Sequence, residues 1–180
     1  WMTVNYREAY DMFCCSGILF NHESPLRGLE FVTRKISSTM AKIKLKQEKV
    51  LEVGNLEAKR DWGFAGNYVE AMHMMLNQDK AEDYVICTGE THSVKEFITK
   101  TAEVLSMDIV WEGENEDTVG IDKLTNKVIV KVNQKYYRPS EVEVLIGDYE
   151  KAKTKLGWSP KCSFDSLVEM MAKADLENFQ

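Results

Sequence analysis

The 180-residue chain carries 23 Lys and Arg against 29 Asp and Glu, a formal charge of −6, with 44% hydrophobic and 29% charged residues. That balance suits a chain that buries a core and excludes a disordered tail. The negative sum argues against general nucleic-acid binding, where clustered cations set affinity, and no apolar run approaches the roughly 20 residues that cross a bilayer.

The chain opens at Trp1 in what reads as the middle of a helix reaching about Asp11, so a longer fold preceding it is expected. Phe13 to Phe20 has the continuous apolar character of a strand buried on both faces in a parallel sheet. Asn21 to Gly28 follows as a polar loop, at the strand end where open α/β folds place ligands. Phe31 to about Leu45 is the clearest helix, with Thr33, Arg34 and Lys35 in its first turns, where free amides and the helix dipole favour an anion. Val50 to Gly54 reads as a short strand, Leu56 to Arg60 as a loop, and Gly66 to Gln78 as a helix with Tyr68, Val69, Met72, Met75 and Leu76 on its apolar face.

Asp83 to Thr88 is another strand, and Ser93 with Glu96 has the spacing of a capping box ahead of a helical stripe. Ile109 to Trp111 is a strand, Glu112 to Lys127 an acidic loop or hairpin, and Val128 to Val132 a short exposed strand. The tail reads as a rigid Tyr136 to Glu141 loop and helices at about Val142 to Leu145, Tyr149 to Leu156 and Phe164 to Phe179. Asp148 and Ser163 are plausible N-caps, and Gly157 is the stop of the middle helix. Strands alternating with helices, then a helical cluster, define an α/β class with two packed units.

Neither G-x-G-x-x-G nor a Walker A loop is present, and G-x-S-x-G and H-E-x-x-H are also missing. His22-Glu23 opens like a zinc motif, but position 26 is Leu, and His22, His73 and His92 are scattered, so no metal site is expected. Cys14, Cys15, Cys87 and Cys162 lack CxxC spacing and read as buried thiols of a reducing, cytoplasmic compartment. Asn21 and His22 are placed either to hydrogen-bond a ligand or to hold their loop. Arg60-Asp61-Trp62 reads as a surface ion pair beside a buried indole or as a phosphate-gripping arginine. Arg138 and Glu141, across a Pro-Ser corner, suit a diphosphate and a ribose or else a solvent-exposed turn.

Taken in order, Phe20-Asn-His-Glu-Ser-Pro25, Arg27-Gly28, Phe31-Val-Thr-Arg-Lys-Ile36, Gly54-Asn55, Arg60-Asp-Trp-Gly63, Tyr68-Val-Glu-Ala71, Thr88-Gly89, Ser93-Val94 and Tyr136-Tyr-Arg-Pro139 closely resemble the GDP-mannose 4,6-dehydratases. That family lies within the extended short-chain dehydrogenase/reductase group, and the likeness runs from Trp1 nearly to the end. It implies the C-terminal part of an NADP-binding Rossmann fold plus a smaller mixed α/β sugar-nucleotide-binding domain. Residues 1–24 would be the terminal Rossmann helix and strand with a ligand loop, and 25–55 mainly substrate-binding domain. Residues 56–92 would return to the Rossmann core, and 93–180 would be mainly substrate-binding domain.

The resemblance further implies a lyase acting on GDP-mannose with NADP, a homo-oligomer of the full-length protein, and a role in GDP-fucose synthesis. His22 and Arg27 match cofactor-contacting positions, whereas Asn21, Lys35, Gly54, Arg60, Arg138 and Glu141 match positions lining the GDP-mannose pocket. The family's catalytic threonine, glutamate and Tyr-x-x-x-Lys precede the matched segment, so no catalytic residue is assigned and the chain alone is expected to be inactive. Another nucleotide-sugar epimerase or reductase, or a non-catalytic nucleotide-sugar-binding or dehydratase-associated polypeptide, are the competing readings. Leu26, Phe64, Gly66 and Asn67 stand where the family has arginine, histidine, lysine and aspartate.

Overall fold

The computed structural model describes residues 1–137, 142 and 144–180. Helix α1 (Met2–Tyr10) ends at Asp11, whose φ of 53° turns the chain out of the helix. The next residues are pinned from one side: Arg7 pairs with Asp83 and donates from Nε to the Cys14 carbonyl at 2.7 Å, while the Ser16 amide donates to Asp83 Oδ1 at 2.7 Å. Strands β1 (Gly17–Leu19) and β2 (Asn21–Glu23) follow, then helix α2 (Val32–Lys44), β3 (Leu51–Val53), β4 (Lys59–Arg60), β5 (Trp62–Phe64) and helix α3 (Ala65–Leu76). Next come β6 (Tyr84–Ile86), β7 (His92–Ser93), helix α4 (Val94–Val104), and strands β8 (Ile109–Glu112), β9 (Val119–Asp122) and β10 (Lys127–Val132). The chain closes with β11 (Val144–Leu145), α5 (Glu150–Leu156) and α6 (Phe164–Phe179).

Among the described residues the strands form four small sheets. Two are parallel pairs, β1 with β6 and β2 with β5. The third has the order β3-β10-β9-β8, an antiparallel meander extended by the parallel strand β3, and the fourth is β11-β4-β7. The larger core forms where α2, α4 and α6 bury Ile36, Met40, Phe97, Ile98, Leu167 and Met171 against Leu51, Val130 and Trp62. A smaller core joins Tyr68 and Met75 of α3, Tyr84 and Ile86 of β6, and Leu156 and Trp158.

The caps form where the sequence signals them. Ser93 Oγ accepts from the Glu96 amide at 3.0 Å while Glu96 Oε2 accepts from the Ser93 amide at 2.6 Å, closing the capping box. Ser163 caps α6 and Gly157, at φ 68°, ends α5. The N-cap of α5 is Tyr149 rather than Asp148, although Asp148 Oδ1 accepts from the Glu150 amide at 2.8 Å.

Several expectations are corrected. Asn21 to Glu23 is a strand, because its backbone pairs with β5, and Lys59-Arg60 is a strand rather than loop. Val144-Leu145 is also a strand, since pairing with β4 overrides the helical pattern of so short a segment. The acidic stretch after Trp111 instead keeps the hairpin expectation, a 3₁₀ turn leading into β9, which pairs antiparallel with β8. The segment Phe13 to Phe20 is extended only over β1 and is not buried on both faces, with Ile18 56% exposed. On α3, Val69, Met72 and Leu76 are exposed and the buried face is Asn67, Tyr68, Ala71 and Met75. Of the four free cysteines only Cys87 is fully buried.

Candidate functional site

The β2–β5 pair sets Asn21 opposite Trp62, His22 opposite Gly63 and Glu23 opposite Phe64. His22 Nδ1 lies 2.9 Å from the Phe20 carbonyl. A carbonyl only accepts, so Nδ1 carries the proton, and in the tautomer this sets Nε2 is the acceptor. The ring is fixed further by Tyr68, 5.3 Å away between centroids, whose hydroxyl reaches the Asn21 carbonyl at 3.5 Å.

Arg27 leaves the turn after β2 with its guanidinium stacked 3.5 Å over the Phe31 ring and its Nε 3.4 Å from Glu23 Oε2. Its backbone carbonyl accepts from Arg34 Nη1 at 3.1 Å. The Arg27 Nε is buried without a hydrogen-bond partner. Glu23 is buried and accepts from Thr33 Oγ1 at 2.5 Å; burial pushes its carboxyl upward, with the Thr33 bond and the Arg27 charge acting in the opposite sense.

Lys35 and Gly54 are brought together by a residue the sequence placed only in a loop. Lys35 Nζ sits 3.5 Å over the Tyr136 ring, and a Cβ at Gly54 would overlap the Tyr136 carbonyl, so glycine is required there by close approach of two backbones. Beside them lies a cavity of about 160 Å³ walled by Gly54, Asn55, Glu57, Thr118 and Tyr137. Arg60, on β4, donates from Nη1 to the carbonyls of Lys59 at 2.8 Å and Val142 at 2.7 Å. Arg138 and Glu141 lie outside the described residues.

The expected anion site at the start of α2 is corrected. Thr33 is committed to Glu23, and Arg34 to Asp175 of α6, through Nε at 3.1 and 3.0 Å and Nη2 at 2.6 Å. Ser37 Oγ completes that group by donating to Asp175 Oδ2 at 2.6 Å.

Asp61 is likewise no surface ion pair. It is fully buried, and its two oxygens accept from the Thr88 amide and hydroxyl at 2.8 and 2.7 Å and from the Gly89 amide at 2.9 Å. This ties the β4–β5 corner carrying Arg60 to the loop after β6. Nearby Cys87 is buried and its thiol is pushed up to about 12, by burial first and by Asp61 second, so it is a packing residue and not a nucleophile. Asn67 Oδ1 accepts from the amides of Lys161 and Cys162 at 3.3 and 3.2 Å.

This mixed α/β fold is shared with solved structures of dehydratases and epimerases. It superimposes on the solved structure of RMD from Pseudomonas aeruginosa complexed with NADPH with a TM-score of 0.79 at 16% identity, covering 98% of this chain and 53% of that one. A dTDP-glucose 4,6-dehydratase from Bacillus anthracis in complex with NAD gives a TM-score of 0.75 at 16% identity, covering 98% of this chain and 49% of the other. The family is narrower: the family model described as GDP-mannose 4,6 dehydratase matches residues 1–171, and the chain belongs to that family. It is 58% identical to the human GDP-mannose 4,6 dehydratase over 98% of this chain and 48% of the relative, and 54% identical to the Drosophila melanogaster protein over 98% and 45%. The chain therefore spans about half the length of the curated relatives it matches.

Proposed function

We propose that this chain works as the C-terminal portion of a cytoplasmic, homo-oligomeric GDP-mannose 4,6-dehydratase, supplying nucleotide-sugar and cofactor contacts but no proton-transfer group. The reaction converts GDP-mannose to GDP-4-dehydro-6-deoxy-mannose. The family match along residues 1–171 carries the reading. Oxidation at C4 of the sugar acidifies the C5 proton, so that water can be lost across C5 and C6 and the C6 carbon then reduced. Bound NADP supplies the hydride acceptor and donor for those two steps.

His22 and Arg27 fit that cofactor by their donor chemistry. One presents a free imidazole acceptor for a hydroxyl, and the other a guanidinium whose buried Nε lacks a hydrogen-bond partner and which is held by Phe31 and Glu23. Asn21, Lys35, Gly54, Arg60, Arg138 and Glu141 are the substrate set, the arginines on the diphosphate and Glu141 on a ribose. Asp61 aims the corner that carries Arg60, and Tyr136 seats Lys35 against Gly54. The exposed apolar residues of α1 and β1, Met2, Tyr6, Tyr10 and Ile18, favour a chain that packs against further polypeptide.

The test is turnover of GDP-mannose by the full-length protein, read as loss of one water by mass spectrometry. Lys35→Ala and Arg60→Ala are each expected to raise KM about tenfold or more, the value of a charge-assisted hydrogen bond. Turnover by the 180-residue chain alone would overturn the assignment of proton transfer to other residues.

A further inference from the structure

We propose that a cavity at the N-terminus of α6 binds a small oxyanion, a carboxylate or phosphate group, apart from the nucleotide-sugar residues. The cavity measures about 300 Å³, and Trp62, Thr88, His92, Tyr149, Cys162 and Phe164 are among its walls. Among the described residues, none of those matched to cofactor or substrate positions lines it.

The tryptophans show what is unusual there. Trp111 Nε1 donates to Thr99 Oγ1 at 3.1 Å, Trp158 Nε1 donates to the Asn67 carbonyl at 3.0 Å, and Trp1 is fully exposed to water. Trp62 is 2% exposed, and its Nε1 finds no acceptor. Leaving such a donor unmade costs about 1–3 kcal/mol, so an acceptor at this point is worth more than on the surface.

The other unmet polar groups at the cavity point to the same class of ligand. His92 Nε2 is buried without a hydrogen-bond partner, the ring itself being fixed by stacking on Phe164 at 3.7 Å between centroids. Ser163 caps the Ser166 amide, so the amides of Phe164 and Asp165 remain for an outside acceptor at the positive end of a 16-residue helix. Of the carboxylates nearby, Glu90 is itself on the wall, 74% exposed with Oε2 3.8 Å from His92 Nε2, Glu96 Oε2 lies 3.7 Å from His92 Nδ1, and Asp165 is 65% exposed beside Lys100. Lys161, also on the wall, is paired with Glu70.

The experiment labels the four tryptophans with ¹⁵N, assigns the indole signals by replacing each in turn, and titrates the protein with inorganic phosphate or with acetate at constant ionic strength. The expected result is a saturable downfield shift of the Trp62 signal with one of the two anions, the other three staying in place; which anion acts distinguishes phosphate from carboxylate. A Trp62 signal unmoved by both, or four signals drifting together, would overturn the proposal. In calorimetry Trp62→Phe, which keeps the ring and deletes the donor, is expected to abolish the binding, and undiminished binding would also overturn it.

Discussion

The region built by α2, α4 and α6 and the region built by α1 and β1 both carry apolar side chains but reach opposite ends of the burial scale. In the first, Ile36, Met40, Phe97, Ile98 and Met171 are completely buried, and a carboxylate, Asp175, is buried with them because Arg34 and Ser37 meet it from another helix. In the second, α1 buries nothing, and its hold on the molecule is polar: one guanidinium, one carboxylate and one backbone amide. Helices gain most of their stability from packing of a face, so the two regions should differ in how they respond to loss of a single group.

The largest effect is expected at Asp175→Ala, which strands Arg34 and Ser37 in the helix interface and should cost about 3–5 kcal/mol in urea unfolding of the protein. Ser93→Ala removes one half of the capping box of α4 and should cost about 1 kcal/mol by the same measurement. Acid should separate the regions by kind. The Arg7 bond, then the Ser16 amide, hold the Asp83 carboxyl below the usual aspartate range against a smaller opposing effect of burial. Its stabilisation is present above the unfolded value and is lost as pH falls through the depressed folded value. Protection of the Ser16 amide, relative to its intrinsic exchange rate, should therefore fall as pH drops through the depressed Asp83 value while amides of α4 stay protected, and Asp83→Asn should remove the difference. Smallest of all, Tyr6→Ala in the 180-residue chain alone should shift stability by less than about 0.5 kcal/mol, whereas in the full-length protein, where α1 is proposed to pack against further polypeptide, a larger loss is expected.

Legibility in the sequence followed the range of the interaction concerned. Capping pairs such as Ser93 with Glu96, the stop at Gly157 and the long stripe of α2 are local, and they appear where the residues predict them. Strands of two or three residues, such as β4 and β11, owe their form to each other across more than eighty positions, which no window of sequence contains. The same holds for the site. His22, Arg27, Lys35, Gly54 and Arg60 stand out because their motifs do, and Glu23, Asp61 and Tyr136 lie in those same motifs, but the tertiary partners that bury Glu23 and Asp61 and set Tyr136 between Lys35 and Gly54 are distant in sequence, as are those of Asp175.

Gly66 and Phe64 illustrate a different kind of dependence. A Cβ at position 66 would overlap the Phe64 ring, which packs at the edge of the main core. The glycine that weakens the start of α3 is thus the space into which the phenylalanine fits. Any side chain at 66 would have to displace the Phe64 ring, so a change at one of the two positions is felt at the other.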